Sequence, residues 1–382
     1  MYNVAYVTGS RADYGIVRRY LKKLSDDNDI NLSILVTGAH LDDRFGCSVH
    51  IIESDGFKIG LRVPLSIDNS TTSGVVHSMS IALSEFGAYF EKTKYDLLII
   101  LGDRYEMMAV ATAAAMQRIP ILHLHGGEST YGNYDEFFRH CITKMSTYHF
   151  ASTEKYRKRI IQMGESPNRV FNLGALGAEN CMLIDFDKVD QQIKNLPEKK
   201  YFVVAFHPET LTAVSPAAQV AELLKALNQV KDYSFVIMGT NADTGSGAIR
   251  SAMLSFVENH RSCFYFENIN NDSYLYLLKN SVALIGNSSS GIIEAPSLGV
   301  YTINIGHRQD GRVHGNSIIS SKCSENDILK SINMVLSSAM RPFIFDNPYF
   351  SSNTAEKYYK KTKDLLAVKN AESKKEFYDI EF

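Results

Sequence analysis

Three carboxylates stand where they could move protons. Asp103 lies in LGDRYE, Glu128 in HLHGGE and Asp135 in NYDEFFRH, with His40, Arg104 and Arg139 in or beside equivalent turns. Crowded carboxylates push one another's pKa values apart, so one can hold a proton while another is ionised, as an acid and base pair requires. A surface salt bridge explains one such residue well; it explains three on neighbouring turns poorly. His123 and His125 alternate in LHLHG, as side chains on one face of a strand would, and with the carboxylates they raise a metal alternative. No triad with zinc-like spacing completes it, and Arg139 brings positive charge, so no metal is expected.

A second group of residues suits an anion. GNSSSGIIEAPSLG, 286–299, follows an apolar run and is expected to open a helix, bringing the hydroxyls and free amides of Ser288 and Ser289 to its N-terminus. An ordinary serine cap is the plainer account. Arg308 and Arg312 in GHRQDGR and Arg11 in TGSRADYG supply the further donors a diphosphate needs. His207 in FHPET is either a hydrogen-bonded strand-end residue or a donor to a departing phosphate. Asn241 and Asp243 in GTNADTGSG could cap a helix or touch a ligand. Glu294 could accept from ribose hydroxyls or complement a helix dipole, and spacing does not separate these. Neither a GxxxxGK[ST] loop nor a GxGxxG turn after the first strand is present, which disfavours NTPase and dehydrogenase chemistry.

The elements that must position these turns are legible as alternating short apolar runs and helix-length amphipathic segments, the pattern of parallel sheets covered on both faces. Strands are expected at 4–9, 32–38, 97–102, 119–126 and 148–152, and, after a polar linker near 175–200, at 201–208, 234–239, 264–268, 282–286 and 301–306. Every chemical turn then follows a strand, where open parallel sheets bind ligands, so one cleft walled by both halves is expected. The tail from Asn353 reads as a charged surface helix. A chain of 382 residues accommodates two domains, and a formal charge of -2 gives no global attraction to nucleic acid or anionic membrane. Five scattered cysteines without a CxxC pair argue against a disulfide framework, and no apolar run is long enough to span a membrane. A soluble cytoplasmic protein, forming a homo-oligomer (dimer or tetramer), is expected.

Taken in order over about residues 1–320, TGSRADYG, HLDDRFG, LGDRYE, HGGE, DEFFRHCITKMS, FHPET, NADTGS, GNSSSGIIE and INIGHRQDGR resemble the hydrolysing UDP-N-acetylglucosamine 2-epimerases of bacterial sialic acid synthesis. The resemblance implies an α/β chain of two Rossmann-like domains facing a central cleft, glycosyltransferase-B-like: residues 1–178 with a C-terminal helix at about 353–382, and residues 179–352. It implies UDP-N-acetylglucosamine and UDP as ligands, with no metal or nicotinamide cofactor. Nucleotide contacts map onto Arg11, Arg104, His207, Asn241, Ser288, Ser289, Glu294 and Arg308, with Ile269 meeting the base through its backbone. Positions near the sugar map onto His40, Asp103, Glu128, Asp135 and Arg139, with Asp135 rather than Glu136 as the matching acid. The implied reaction eliminates UDP to 2-acetamidoglucal and then hydrates it with inversion at carbon 2, giving N-acetylmannosamine. His207 would assist the leaving diphosphate, and Asp103, Glu128 and Asp135 would share the acid and base roles. Relatives acting on GDP-N-acetylglucosamine or a UDP-linked diacetamido sugar, and a non-hydrolysing epimerase, are the nearest alternatives.

Overall fold

The computed structural model describes residues 1–68, 70–240, 242–338, 345–368 and 375–381. Apolar runs too short for helices and too continuous for exposed strands become buried parallel strands, as at Leu97–Leu101, where all five residues are buried. The first sheet contains β1 (Tyr2–Thr8), β2 (Ile30–Thr37), β3 (Ile59–Val63), β4 (Leu97–Leu101), β5 (Ile121–Leu124), β6 (Tyr148–Ala151) and β7 (Val170–Asn172), in the order β3-β2-β1-β4-β5-β6-β7. The second contains β8 (Tyr201–Ala205), β9 (Ser234–Met238), β10 (Cys263–Phe266), β11 (Ala283–Gly286), β12 (Tyr301–Ile305) and β13 (Ile318–Ser321), in the order β10-β9-β8-β11-β12-β13. All strand pairs are parallel. The order reverses between β1 and β4 in one sheet and between β8 and β11 in the other. Those two reversals open the crevices in which doubly wound sheets bind ligands.

The expected strands are present, and three more, β3, β7 and β13, lie on sheet edges. The helix Thr72–Lys92, absent from the sequence reading, buries only six of its 21 residues. Two expectations need correction. The segment expected as a polar linker begins as a helix, Leu176–Asn180, with all five residues buried. The tail is no plain surface helix: Thr354–Ala367 buries Thr354, Ala355, Tyr358 and Thr362, and Tyr358 packs edge-on against Tyr20 and Phe150 in the first core. Both passages between the sheets meet at Glu179, whose carboxylate accepts from the N–H groups of Thr354 and Ala355 at 2.7 and 2.8 Å. Beyond the helix, Lys375 Nζ donates to the carbonyls of Lys144 and Ser146, both at 2.6 Å, and the Tyr378 N–H donates to Gly164 O. No helix among the described residues is long and apolar enough to cross a membrane.

Candidate active site

At the second sheet's reversal, the ends of β8 and β11 are joined through Asn287. Its Oδ1 accepts from the His207 N–H and its Nδ2 donates to the His207 carbonyl, each at 2.8 Å. Gly286, at φ +142°, permits this, because a Cβ there would overlap the Ala205 carbonyl. The Asn287 carbonyl accepts from Arg308 at 3.1 Å and from Gln309 at 2.7 Å, so one fully buried residue places His207 and Arg308 together. Arg11, Tyr14, His207, Ile269, Tyr274, Ser288, Ser289 and Glu294 line a cavity of about 170 Å³ between the two sheets. It has an apolar side at Ile269 and Tyr274 and a hydroxyl and carboxyl side at Ser288 to Glu294, which suits a nucleoside. Burial pushes the Glu294 carboxyl up to about 7, the His207 imidazole down to about 3 and the Arg11 guanidinium down to about 10. An incoming anion would reverse the effect on the two bases.

The carboxylates converge at the first sheet's reversal and on the turn after β5. The helix Asp135–Met145 carries two adjacent acids that face different ways. Glu136 accepts from the Thr130 N–H at 2.5 Å and Arg139 at 2.7 Å; although burial opposes its charge, His140, Arg139 and Thr130 hold its pKa at about 2. Among the described residues the Asp135 carboxyl has one hydrogen bond, from Asn133 Nδ2 at 3.2 Å. Burial, then Asp103 and Asp243, push its carboxyl up to about 7, Arg308 and Arg104 compensating only in part. Arg139, 1% exposed, donates to Asp103, Glu136, Thr130 Oγ1 and the Glu128 carbonyl. Burial opposes the Asp103 charge, but Arg139 and Arg312 hold its pKa below the usual range. Glu128 accepts from Ser152 Oγ at 2.7 Å and pairs with Arg312. Asp103, Glu136 and Glu128 are thus each paired with an arginine, while the Asp135 carboxyl is pushed up toward neutrality.

That proton has a measurable consequence. A carboxyl raised from about 4 to about 7 favours the folded chain below pH 4, and the contribution is lost as pH rises toward 7. Glu294 acts in the same window, while Glu136, shifted to about 2, acts below it. The depressed histidines, His207 and His40 among them, give both chains an opposing slope, so the prediction is differential: the melting temperature of Asp135→Asn relative to the parent chain should rise between about pH 4.5 and 7.5. A difference that does not change with pH would place the proton elsewhere.

The structure brings most of the residues singled out from sequence into one cleft. Arg104 bonds Glu106 at 2.7 Å and, across the cleft, Asp243 at 3.0 Å. Arg11 donates to the Ile269 carbonyl at 2.5 Å, so in this state that carbonyl is used between the two halves. Three expectations change. The serine loop opens only a single helical turn, Ser290–Ile293, so hydroxyls and local amides rather than a helix dipole are what it offers. Arg312, grouped above with the phosphate donors, pairs with Glu128 instead. β5 ends at Leu124 and His125 turns out of it at φ +63°, so His123 and His125 do not share a strand face. His40 is fully enclosed, with Nε2 3.0 Å from Thr8 Oγ1 and Nδ1 2.9 Å from Ser48 Oγ, and burial takes it down to about 4. Asn241 lies outside the described residues. Asn287 and Glu106 went unnoticed in the sequence because Asn beside Gly reads as a turn and Glu106 reads as an N-terminal helix acid. Among the described residues, no three His, Cys, Asp or Glu side chains group as metal ligands.

A family model described as UDP-N-acetylglucosamine 2-epimerase matches residues 22–363. The chain belongs to the UDP-N-acetylglucosamine 2-epimerase family. It is 46% identical to the polysialic acid biosynthesis protein P7 of Escherichia coli, covering 100% of this epimerase-family chain and 98% of that one. It is 37% identical to the GDP/UDP-N,N'-diacetylbacillosamine 2-epimerase (hydrolyzing) of Campylobacter jejuni, over 85% of each. Its fold matches the crystal structure of the Neisseria meningitidis UDP-GlcNAc 2-epimerase bound to UDP-GlcNAc, with a TM-score of 0.77 at 17% identity, over 95% of this chain and 100% of that one. The two-sheet, glycosyltransferase-B-like architecture is therefore the family's own.

Proposed function

We propose that this epimerase-family chain is a hydrolysing enzyme that converts UDP-N-acetylglucosamine and water to N-acetylmannosamine and UDP, supplying a sialic acid pathway in the cytoplasm, with domains divided at 178/179 and 352/353. The observation that carries the reading is Asp135, a buried carboxyl whose pKa is pushed up to about 7, set beside the arginine-paired carboxylates Asp103 and Glu128 and a cationic cavity of nucleoside size. Proton transfer at carbon 2 needs a group that titrates near neutrality, and Asp135 is one. Pinned carboxylates stabilise the positive charge that builds on the ring as the diphosphate leaves, while Arg308, His207 and the hydroxyls of Ser288 and Ser289 receive that diphosphate. Glu294 faces the ribose. The polysialic acid relative supports this substrate; the diacetylbacillosamine relative supports a second reading, in which the sugar carries a further acetamido group.

Proton NMR of the purified chain with UDP-N-acetylglucosamine in deuterated water tests product, cleavage and carbon 2 exchange together. Free N-acetylmannosamine deuterated at carbon 2 is expected. UDP-N-acetylmannosamine with its diphosphate intact would make the enzyme non-hydrolysing, and turnover of only the diacetamido substrate would establish the second reading.

A further inference from the structure

The roles above leave His125 without a task, yet it is the histidine of the cleft built most unlike a structural one. His123 and His40 have both ring nitrogens engaged: His123 Nε2 meets the Gly102 carbonyl at 2.7 Å and Nδ1 meets Thr143 Oγ1 at 3.1 Å. His125 Nε2, in contrast, is buried with no hydrogen-bond partner among the described residues. Buried polar atoms are nearly always satisfied, so an exception in a cleft marks a position for something that arrives. The backbone of His125 takes the left-handed conformation, uncommon for a residue with a Cβ and concentrated at functional turns. Nδ1 stands 3.5 Å from Glu128 Oε1, and Glu128 is itself fixed by Ser152 and Arg312. A carboxylate on the Nδ1 side favours a proton there and leaves the lone pair on Nε2, the arrangement of a base with its orienting acid. Burial above all, with Arg312, holds the ring below the usual imidazole range, Glu128 and Asp103 offsetting this only in part, so the ring rests neutral.

Resting on the hydrolysing-epimerase reading, we propose that His125 is a second proton-transfer residue of the reaction, oriented by Glu128, taking the carbon 2 proton while Asp135 serves the opposite face. Nε2 gains the hydrogen as the carbon 2 to hydrogen bond breaks. That electron pair becomes the double bond between carbons 1 and 2, and the carbon 1 to oxygen bond breaks with its pair leaving on UDP. In the second half Asp135 gives its proton to carbon 2, water adds through oxygen to carbon 1, and the proton that water sheds restores Asp135. His125 returns its proton to solvent or to UDP. The assignment changes Glu128 from acid or base to a positioning residue.

His125→Asn suits the left-handed backbone, which Asn tolerates. Its turnover should fall at least about 100-fold while its UDP affinity stays within about 3-fold of the parent's. The isotope effect with substrate deuterated at carbon 2 should rise in the variant. Turnover within about 3-fold of the parent, or a turnover loss matched by a loss of UDP binding, would overturn the assignment. Nitrogen-15 NMR of the imidazole in the unaltered protein is a test independent of the variant's folding and of substrate identity. A lone-pair signal at Nε2 supports the proposal, and an Nε2–H tautomer sinks it. Failure of the parent chain to release UDP from UDP-N-acetylglucosamine would instead count against the proposed function.

Discussion

Asp135→Asn is expected to lower turnover of UDP-N-acetylglucosamine by at least about 100-fold, with UDP binding changed by less than about 3-fold. The substitution keeps the shape of the side chain and its bond from Asn133, so packing is conserved while the one readily exchanged proton is removed. Binding is insulated because the nucleoside cavity is lined by residues of the loops after β1, β8 and β11 and by Ile269 and Tyr274, and Asp135 is not part of that lining. Steady-state kinetics beside calorimetric titration with UDP separates the two quantities. Near-normal turnover with intact binding would remove Asp135 from the chemistry and leave the raised pKa as a structural by-product.

Arg139→Met should be the most damaging change to stability near the site. The guanidinium is 1% exposed and serves two carboxylates, a hydroxyl and a carbonyl. Removing it leaves Asp103 and Glu136 as partly buried like charges around a fully buried gap; losing one partner of a buried network costs about 3–5 kcal/mol, and the partial exposure of the two acids places the loss toward the lower end. Urea unfolding followed through the first domain measures it; a loss below about 1 kcal/mol would mean the acids find other partners or take up protons. Glu136→Gln in the same background should recover part of the loss, because it removes one of the stranded charges.

Much of the architecture was legible because β1, β4, β5, β8 and β11 are central strands, buried on both faces and therefore written as unbroken apolar runs. Edge strands carry weaker marks. β3 is half-exposed at most of its positions and β7 is only three residues long, so neither stands out from the surrounding loops. The site's turns were legible by position, since each follows a strand. Its pairings were not. Whether Arg312 meets a phosphate or Glu128 depends on how the two halves meet, and which of two adjacent acids is saturated by Arg139 depends on the turn of one helix. Asp135 and Glu136 differ by one helical position, about 100° of rotation, and that rotation decides which is neutralised. His125 illustrates the limit: nothing in LHLHGG marks the residue at which the backbone leaves the strand.

The return of Thr354–Ala367 to the first core sets an order for assembly on the ribosome. The second sheet, β8 to β13, is contiguous in sequence and has its own core around Phe202, Val204 and Ile237, so all its strands are synthesised, and emerge, ahead of Tyr358. The first sheet, although made earliest, waits for that tyrosine to close against Tyr20 and Phe150. Since domains fold as units when their residues are available, the half translated last completes its core first, and the half carrying the carboxylates stays unsealed until the final segment is made.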